Sequence, residues 1–460
     1  MEKIRNIVCD CKEQIIHRIR HMSTMKIIPI VFLVIILLGT FFLTLPMASK
    51  EGVTSVSDAL FTATSATCVT GLIRFDTYQH WTVFGQIVII TMIQIGGIGF
   101  MSIAVWILTL SKRKIGLQSR MMMQNSISAP QVGGMVKITK FILLGTFFIE
   151  SVGAFLLSFV FIPEFGWKKG IYYSIFHSVS AFCNAGFDLM GIKNPYSSLT
   201  SYVGNWYLNI IIMLLIIIGG LGFFVWKDLL EHKFRFRKMK LHTKIVMSMS
   251  IVLVIMGSLL ILLLEWGEVA TSSQTVNEQI LSAVFQSVTA RTAGFNTIDL
   301  ANMTDASLFV MIVLMLIGGS PGSTAGGMKT TTFAILLISI HSTLRRKKTE
   351  EIYGRRLDED ALRTAACIFM IYLLLGISAA LFIAKLESVN MITALFEVVS
   401  ALGTVGVTLG ITPQVGMVSK IILIVLMYIG RVGSLTILMA FSSERKIISS
   451  KLPLEKVQIG

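Results

Sequence analysis

The sequence predicts an all-α polytopic membrane protein: four tandem helix–pore-loop–helix repeats around a central pore, with eight full spans and four re-entrant half-helices. Three observations predict it: the composition, a two-part motif that recurs four times, and the distribution of charge. Of the 460 residues, 54% are hydrophobic and only 14% charged, with a mean hydropathy of +0.77. A soluble domain cannot bury that much apolar surface, whereas a bilayer can take it up. Stretches such as Ile27–Met47, Val83–Leu110 and Val203–Trp226 reach the roughly 20 residues needed to cross the hydrocarbon.

The first half of the motif is an aromatic residue, then Ser/Thr-Ala, then a glycine. It reads FTATSATCVTGL from Phe61, FHSVSAFCNAGF from Phe176, FQSVTARTAGF from Phe285 and FEVVSALGTVGV from Phe396. Its glycines, Gly71, Gly186, Gly294 and Gly406, are 115, 108 and 112 residues apart. The second half reads IGGIGF from Ile95, IGGLGF from Ile218, IGGSPG from Ile317 and IGRVGS from Ile429. Small residues that ease helix packing would explain the second half alone, but not the pairing of both in fixed order four times over.

Residues 1–25 form a polar, basic segment with no evident cleavable signal peptide. Repeat 1 covers 26–118, repeat 2 covers 134–240, repeat 3 covers 241–345 and repeat 4 covers 361–441, followed by a tail, 442–460. Within each repeat a span leads to a half-helix of about ten residues, for example Ser57–Ala66 or Thr393–Ala401. That is roughly 15 Å of helix, half the depth of a bilayer. The chain then returns outward and crosses again. The tails, the first counted through Lys26, and the loops Ser111–Lys140, Lys227–Lys244 and His341–Arg363 carry thirty Lys and Arg against twelve Asp and Glu. The intervening segments carry eight against twelve, with Glu150, Lys329 and Arg431 inside apolar stretches. The positive-inside rule puts both termini and those loops in the cytoplasm of a cell-membrane protein. The net charge of +15 therefore reads as topology and contact with anionic lipid, not nucleic-acid binding. Cys9-Asp10-Cys11 lacks a second Cys or His cluster, so no metal centre and no cofactor are expected.

Non-helical backbone at membrane depth must line a cavity or lie within protein. The stretches Thr67–Gly71, Phe182–Gly186, Arg291–Gly294 and Leu402–Gly406 can point carbonyls at a shared axis, replacing the hydration shell of a monovalent cation. The C-terminal ends of the half-helices add partial negative charge there. Arg291 within the third loop would oppose cations, so its head is expected to turn away and pair with a carboxylate. Glu150 is either a functional intramembrane acid or an interhelical polar partner.

These motifs resemble the Trk/Ktr/HKT superfamily of potassium transporters from about Lys26 to Phe441, and the Ktr-type pore-forming subunit most. The resemblance implies an ion-selectivity filter at Thr67, Cys68, Val69, Thr70 and Gly71, then Cys183, Asn184, Ala185 and Gly186, then Thr292, Ala293 and Gly294, and finally Thr404, Val405 and Gly406. Potassium would sit at their backbone carbonyls, and Gly71, where sodium-preferring relatives often carry serine, argues for potassium. The resemblance further implies a homodimer on a cytosolic ring of nucleotide-binding subunits, with sodium as a coupled or activating ion. A passive cation channel is the alternative.

The stretch 317–330 interrupts the second span of repeat 3 with five glycines and a proline. Gly318, Gly319, Ser320, Gly322, Ser323, Thr324, Gly326, Gly327 and Lys329 are its candidate gate residues. The resemblance adds Arg431 below the filter, as an electrostatic barrier, a structural partner of loop carbonyls, or both. Gly318–Gly322 also fits the G-x-S-x-G of a hydrolase with Ser320 as nucleophile, but no preceding strand or His/Asp pair accompanies it. Gly322–Thr330 nearly fits a phosphate-binding loop, with Met328 as an extra residue and again no strand. An enzyme is not expected.

Overall fold

The computed structural model describes residues 24–99, 135–347 and 349–434. The loop around Arg113, the segment carrying Cys9 and Cys11, and the tail 442–460 lie outside the described residues. Among the described residues the fold is almost entirely helical, with one two-stranded hairpin, β1 (Glu351–Ile352) and β2 (Arg355–Arg356), in a loop.

Among the described residues four long helices, α1 (Thr24–Thr44), α4 (Met135–Phe165), α8 (Leu241–Leu264) and α12 (Glu359–Glu387), are long and apolar enough to cross a membrane. Phe41, Phe148, Leu263 and Phe382 on them are exposed, a large apolar surface that water would not tolerate and lipid would cover. Each packs along a shorter helix that follows it: α2 (Val56–Thr67), α5 (Trp167–Phe182), α9 (Val276–Thr289) and α13 (Met391–Leu402). These four have 12 to 16 residues, too few to span. Their starts are fixed locally. Ser55 caps α2, and Thr275 with Glu278 forms a reciprocal capping box on α9.

Among the described residues, the second helix of each repeat is interrupted or ends at its glycine motif. Helix α3 (Val83–Ile98) stops at Gly99, with φ +84°, and α14 (Met417–Val432) stops at Gly433, with φ +97°. Helices α6 (Trp206–Leu221) and α7 (Phe223–Glu231) meet at 93° across Gly222, whose φ is +97°. In repeat 3 the whole stretch between α10 (Asp305–Leu316) and α11 (Thr330–Leu344) is non-helical. The physical reason is the left-handed φ, which glycine adopts without strain and which ends an α-helix.

These second helices close the structure into a ring. Each packs on the half-helix of its own repeat and on that of the next: α3 also on α5, α6 on α9, α10 on α13, and α14 back on α2. Lys420 on α14 seals the last junction, its Nζ 2.5 Å from Asp58 Oδ1 on α2.

Candidate functional site: four converging loops and a buried loop beneath them

The half-helices run further into the loops than the sequence suggests. Thr67, Phe182 and Leu402 are the last helical residues, and Cys68, Cys183 and Gly403 keep right-handed helical angles. The extended part begins only after the next residue, which is left-handed in every loop: Val69, Asn184, Thr292 and Thr404, with φ of 56°, 59°, 78° and 52°. In loops 1, 2 and 4 the helix closes in a Schellman pattern. The N–H groups of Thr70, Ala185 and Val405 each donate 2.8 Å to the carbonyls of Ser65, Ser180 and Ser400. A β-branched residue at positive φ is strained by about 1–3 kcal/mol, which the surrounding structure must over-determine. The sequence placed all four in the expected filter but did not reveal their left-handed backbone. The signal was the invariant two-residue offset before each glycine.

The four glycines converge in cyclic order. A Cβ added to Gly71 would stand 2.5 Å from Ala185 O, one on Gly186 2.8 Å from Ala293 O, and one on Gly294 2.8 Å from Val405 O. One on Gly406 would collide with Thr70 O, closing the circle. All four have positive φ, from 70° to 95°. Each loop thus sets a carbonyl beside the preceding loop's glycine, and no side chain fits between them.

In loops 2 and 4 the outward return is pinned by the buried residue that follows the motif's aromatic. His177 Nε2 accepts from Leu189 N at 3.3 Å, and Glu397 Oε1 accepts from Leu409 N at 3.2 Å. Both partners lie twelve residues on. Glu397 also takes the hydroxyls of Thr408 and Thr412.

The second motif lets backbones touch. A Cβ on Gly96, Gly219 or Gly430 would collide with the carbonyl of Thr67, Phe182 or Leu402, the last helical residue of the same repeat's half-helix. Gly318 breaks the pattern and meets Gly326 instead.

The loop between α10 and α11 is buried under this ring. Ser320 N donates to Gly220 O at 3.0 Å, Thr324 N to Gly219 O at 3.3 Å, and Gly327 N to Gly430 O at 3.2 Å. Thr324 Oγ1 reaches up to Phe182 O at 3.1 Å. A Cβ on Gly326 would meet Thr404, and one on Gly327 would stand 2.8 Å from Gly403 O. Gly318, Gly319, Gly322 and Ser323 complete the turn, with Ser323 Oγ donating to Ser320 O at 2.7 Å. Lys329 Nζ folds back on Ala325 O at 2.9 Å. Ser320 Oγ meets Thr330 Oγ1 at 3.0 Å, so among the described residues no histidine or acid activates it.

Arg431 joins this loop to repeat 1. Its Nη1 donates to Thr324 O, and its Nη2 donates to Gly96 O and, at 3.1 Å, to Gly97 O. Glu150 bridges helices: Gln94 Nε2 donates to both its oxygens, at 3.0 and 2.9 Å, and Cys183 Sγ lies 3.8 Å from it. The carboxylate expected for Arg291 is not there. Its Nη2 donates to Ser250 Oγ at 3.2 Å, and among the described residues no acid meets it. A hydroxyl one helix away satisfies one N–H of the buried head, while Nε stays unpartnered.

Three comparisons bear on this arrangement. The family model described as "TrkH: Cation transport protein" matches residues 10–450. The chain is 41% identical over 448 residues to the potassium/sodium uptake protein NtpJ of Enterococcus hirae, covering 96% of this chain and 98% of that protein. It is 37% identical over 432 residues to the Ktr system potassium uptake protein B of Bacillus subtilis, covering 94% and 95%. The crystal structure of the potassium transporter TrkH from Vibrio parahaemolyticus shares the fold, with a TM-score of 0.71 at 21% identity over 92% of this chain and 86% of that one.

Proposed function

The chain belongs to the TrkH family of cation transport proteins, and from that premise we propose that it carries potassium into the cell through the ring of four loops, with the loop 317–330 as its gate. One observation carries the reading: four glycines in cyclic order, each with the preceding loop residue of its neighbour turned against it. Such a ring offers the carbonyls of Thr70, Ala185, Ala293 and Val405 to a dehydrated cation. The half-helix C-termini favour positive charge there. Relatives named for potassium, or for potassium and sodium, support the choice of ion.

The gate reading rests on position. The loop is held by backbone hydrogen bonds to Gly219, Gly220 and Gly430, and one arm of Arg431 fastens Thr324. Arg431 acts both as a clamp and as a positive barrier. Both termini and the basic loops face the cytoplasm. The chain works as a homodimer on a cytosolic nucleotide-binding ring, with sodium coupled or activating. Resemblance to Ktr-type subunits supports that assembly.

The test is uptake of potassium, rubidium and sodium by transport-deficient cells expressing the chain, with and without external sodium. Potassium and rubidium uptake well above that of sodium is expected. Equal uptake of all three overturns the filter reading, and sodium-independent uptake identifies a passive channel. A cytosolic ring should co-purify in a salt-sensitive manner, weakened by deleting 442–460.

A further inference from the structure

The Ser/Thr of each first motif lies in the last turn of its half-helix, at Ser65, Ser180, Thr289 and Ser400, and all four are buried. Three of the hydroxyls brace the ring glycine or the residue after it. Ser65 Oγ accepts from Gly71 N at 3.1 Å. Ser400 Oγ accepts from Gly406 N at 3.1 Å and donates to Val407 O at 2.6 Å. Thr289 Oγ1 donates to Phe295 O at 2.6 Å. Loop 2 lacks this brace, because Ser180 Oγ is buried without a hydrogen-bond partner.

Loop 2 carries an amide instead. Asn184 is 1% exposed and precedes Ala185, whose carbonyl stands against Gly71. Three carbonyls, Ala181 O, Phe182 O and Ile216 O, stand 3.2 Å from one side of the amide, which fixes that side as Nδ2. Oδ1 then accepts from Thr292 Oγ1 at 3.2 Å. The nitrogen thus meets the carbonyl end of α5 and a carbonyl of α6, while the oxygen reaches across to loop 3. Gly219 leaves the room for this, since a Cβ there would stand 3.0 Å from the Asn184 amide. The other left-handed residues make no such tie. Val69 has no polar side-chain atom, and Thr404 Oγ1 is buried without a partner. Asparagine is also one of the few residues that take a left-handed φ readily, so a bridging side chain stands where the backbone accepts it.

We propose that Asn184 is a positioning residue of the ring. Its side chain, bridging loop 2 to Thr292 of loop 3, does for the Ala185 carbonyl what Ser65 and Ser400 do for loops 1 and 4, and so sets which monovalent cation the ring prefers. The number and placing of carbonyls decide between ions of different size. Losing the bridge lets Ala185 O relax and narrows the difference between rubidium and sodium. The proposal rests on the reading of the ring as the cation site, and transport is measured separately.

The test uses the full chain purified in detergent in choline chloride. Its thermal midpoint is followed while rubidium or sodium replaces choline at constant ionic strength. The two half-saturating concentrations give the ring's preference. Asn184→Gly removes the side chain and leaves a φ of 59° unstrained, which separates side chain from backbone. The preference for rubidium over sodium should fall roughly 2- to 10-fold, the worth of one buried hydrogen bond. Thr292→Val cuts the same bridge from the other side and should do likewise, with the double variant no worse than either single one. Thr292→Ser, which puts the hydroxyl back, should recover the preference. Ser180→Ala, which removes a hydroxyl without a partner, should match the wild type. A purely structural role would lower the midpoint in choline and leave the preference untouched. An unchanged preference in folded Asn184→Gly, or an equal fall in Ser180→Ala, overturns the proposal. So does a wild type that binds the two ions alike. Should Asn184→Gly fail to fold, Thr292→Val decides alone. Rubidium flux into liposomes then tests transport. A chain that shows the preference, and its loss in the variants, but no flux keeps Asn184 in this role and sinks the transport reading.

Discussion

Replacing Arg431 with alanine cuts the tie between the buried loop and repeat 1. One guanidinium arm holds Thr324 O, and the other holds the carbonyls of Gly96 and Gly97. Only the first arm touches the loop. A hydrogen bond from a charged group is worth about 1.5–3 kcal/mol. Losing it shifts a closed-to-open ratio by roughly 10- to 150-fold. Removing a positive charge from a low-dielectric path adds to the gain. Rubidium flux into liposomes should therefore rise by at least about tenfold in Arg431→Ala. Deleting Ser323–Gly326 removes Thr324 itself and should raise flux through the same contact. The double variant should then do no more than the better single one, the mark of two changes on one barrier. Arg431→Lys separates the two roles. It keeps the charge but loses the two-armed geometry, so flux should fall between wild type and alanine. Well-inserted Arg431→Ala with unchanged or lower flux, or effects that multiply in the double variant, would refute the clamp.

Gly71→Ser puts a side chain 2.5 Å from Ala185 O at a φ of +95°, straining the backbone by about 1–2 kcal/mol. The rubidium-to-sodium uptake ratio should fall, and an unchanged ratio removes that loop from the filter. Single cysteines at Arg237 or Arg346 should resist a membrane-impermeant thiol reagent applied outside, whereas one at exposed Trp167 should react. External labelling at Arg237 and Arg346 would invert the topology. Glu150→Gln should retain uptake, because the interhelical contact with Gln94 survives as an amide pair. Glu150→Leu should lower the thermal midpoint by stranding Gln94 and Cys183, a loss of about 1–3 kcal/mol. Abolished uptake in a stable Glu150→Gln would make the acid functional instead.

What the sequence revealed follows from what repeats. The half-helices were legible because Phe61, Phe176, Phe285 and Phe396 each begin the same run, and a run that short cannot span. The buried loop was legible because glycine and proline cannot continue a helix. Its hydrogen bonds were not legible, since Gly219, Gly220 and Gly430 belong to other repeats and meet it only once the ring closes. The left-handed Val69 and Thr404 were hidden for the opposite reason. Local propensity argues against a β-branched residue there, and tertiary contacts override it.

Repeat 3 shows how a small change in sequence reaches function. From aromatic to glycine it is one residue shorter than its three counterparts. His177 and Glu397 find a backbone N–H twelve residues on, but in repeat 3 neither the Gln286 amide nor Thr297 Oγ1 has a partner. The position that carries Cys68 and Cys183 in the first two loops, and Gly403 in the fourth, falls in the third at Arg291, held by a single hydroxyl. The same repeat replaces the continuous glycine-motif helix with the buried loop, and Gly318 packs on that loop rather than on its own half-helix. Repeat 3 thus departs from the other three in its shorter loop and in the glycine-rich stretch that follows α10. A segment with fewer internal ties opens at lower free energy than its neighbours. On the reading proposed above, the moving part of the ring is the buried loop of repeat 3, which one arm of Arg431 holds at Thr324.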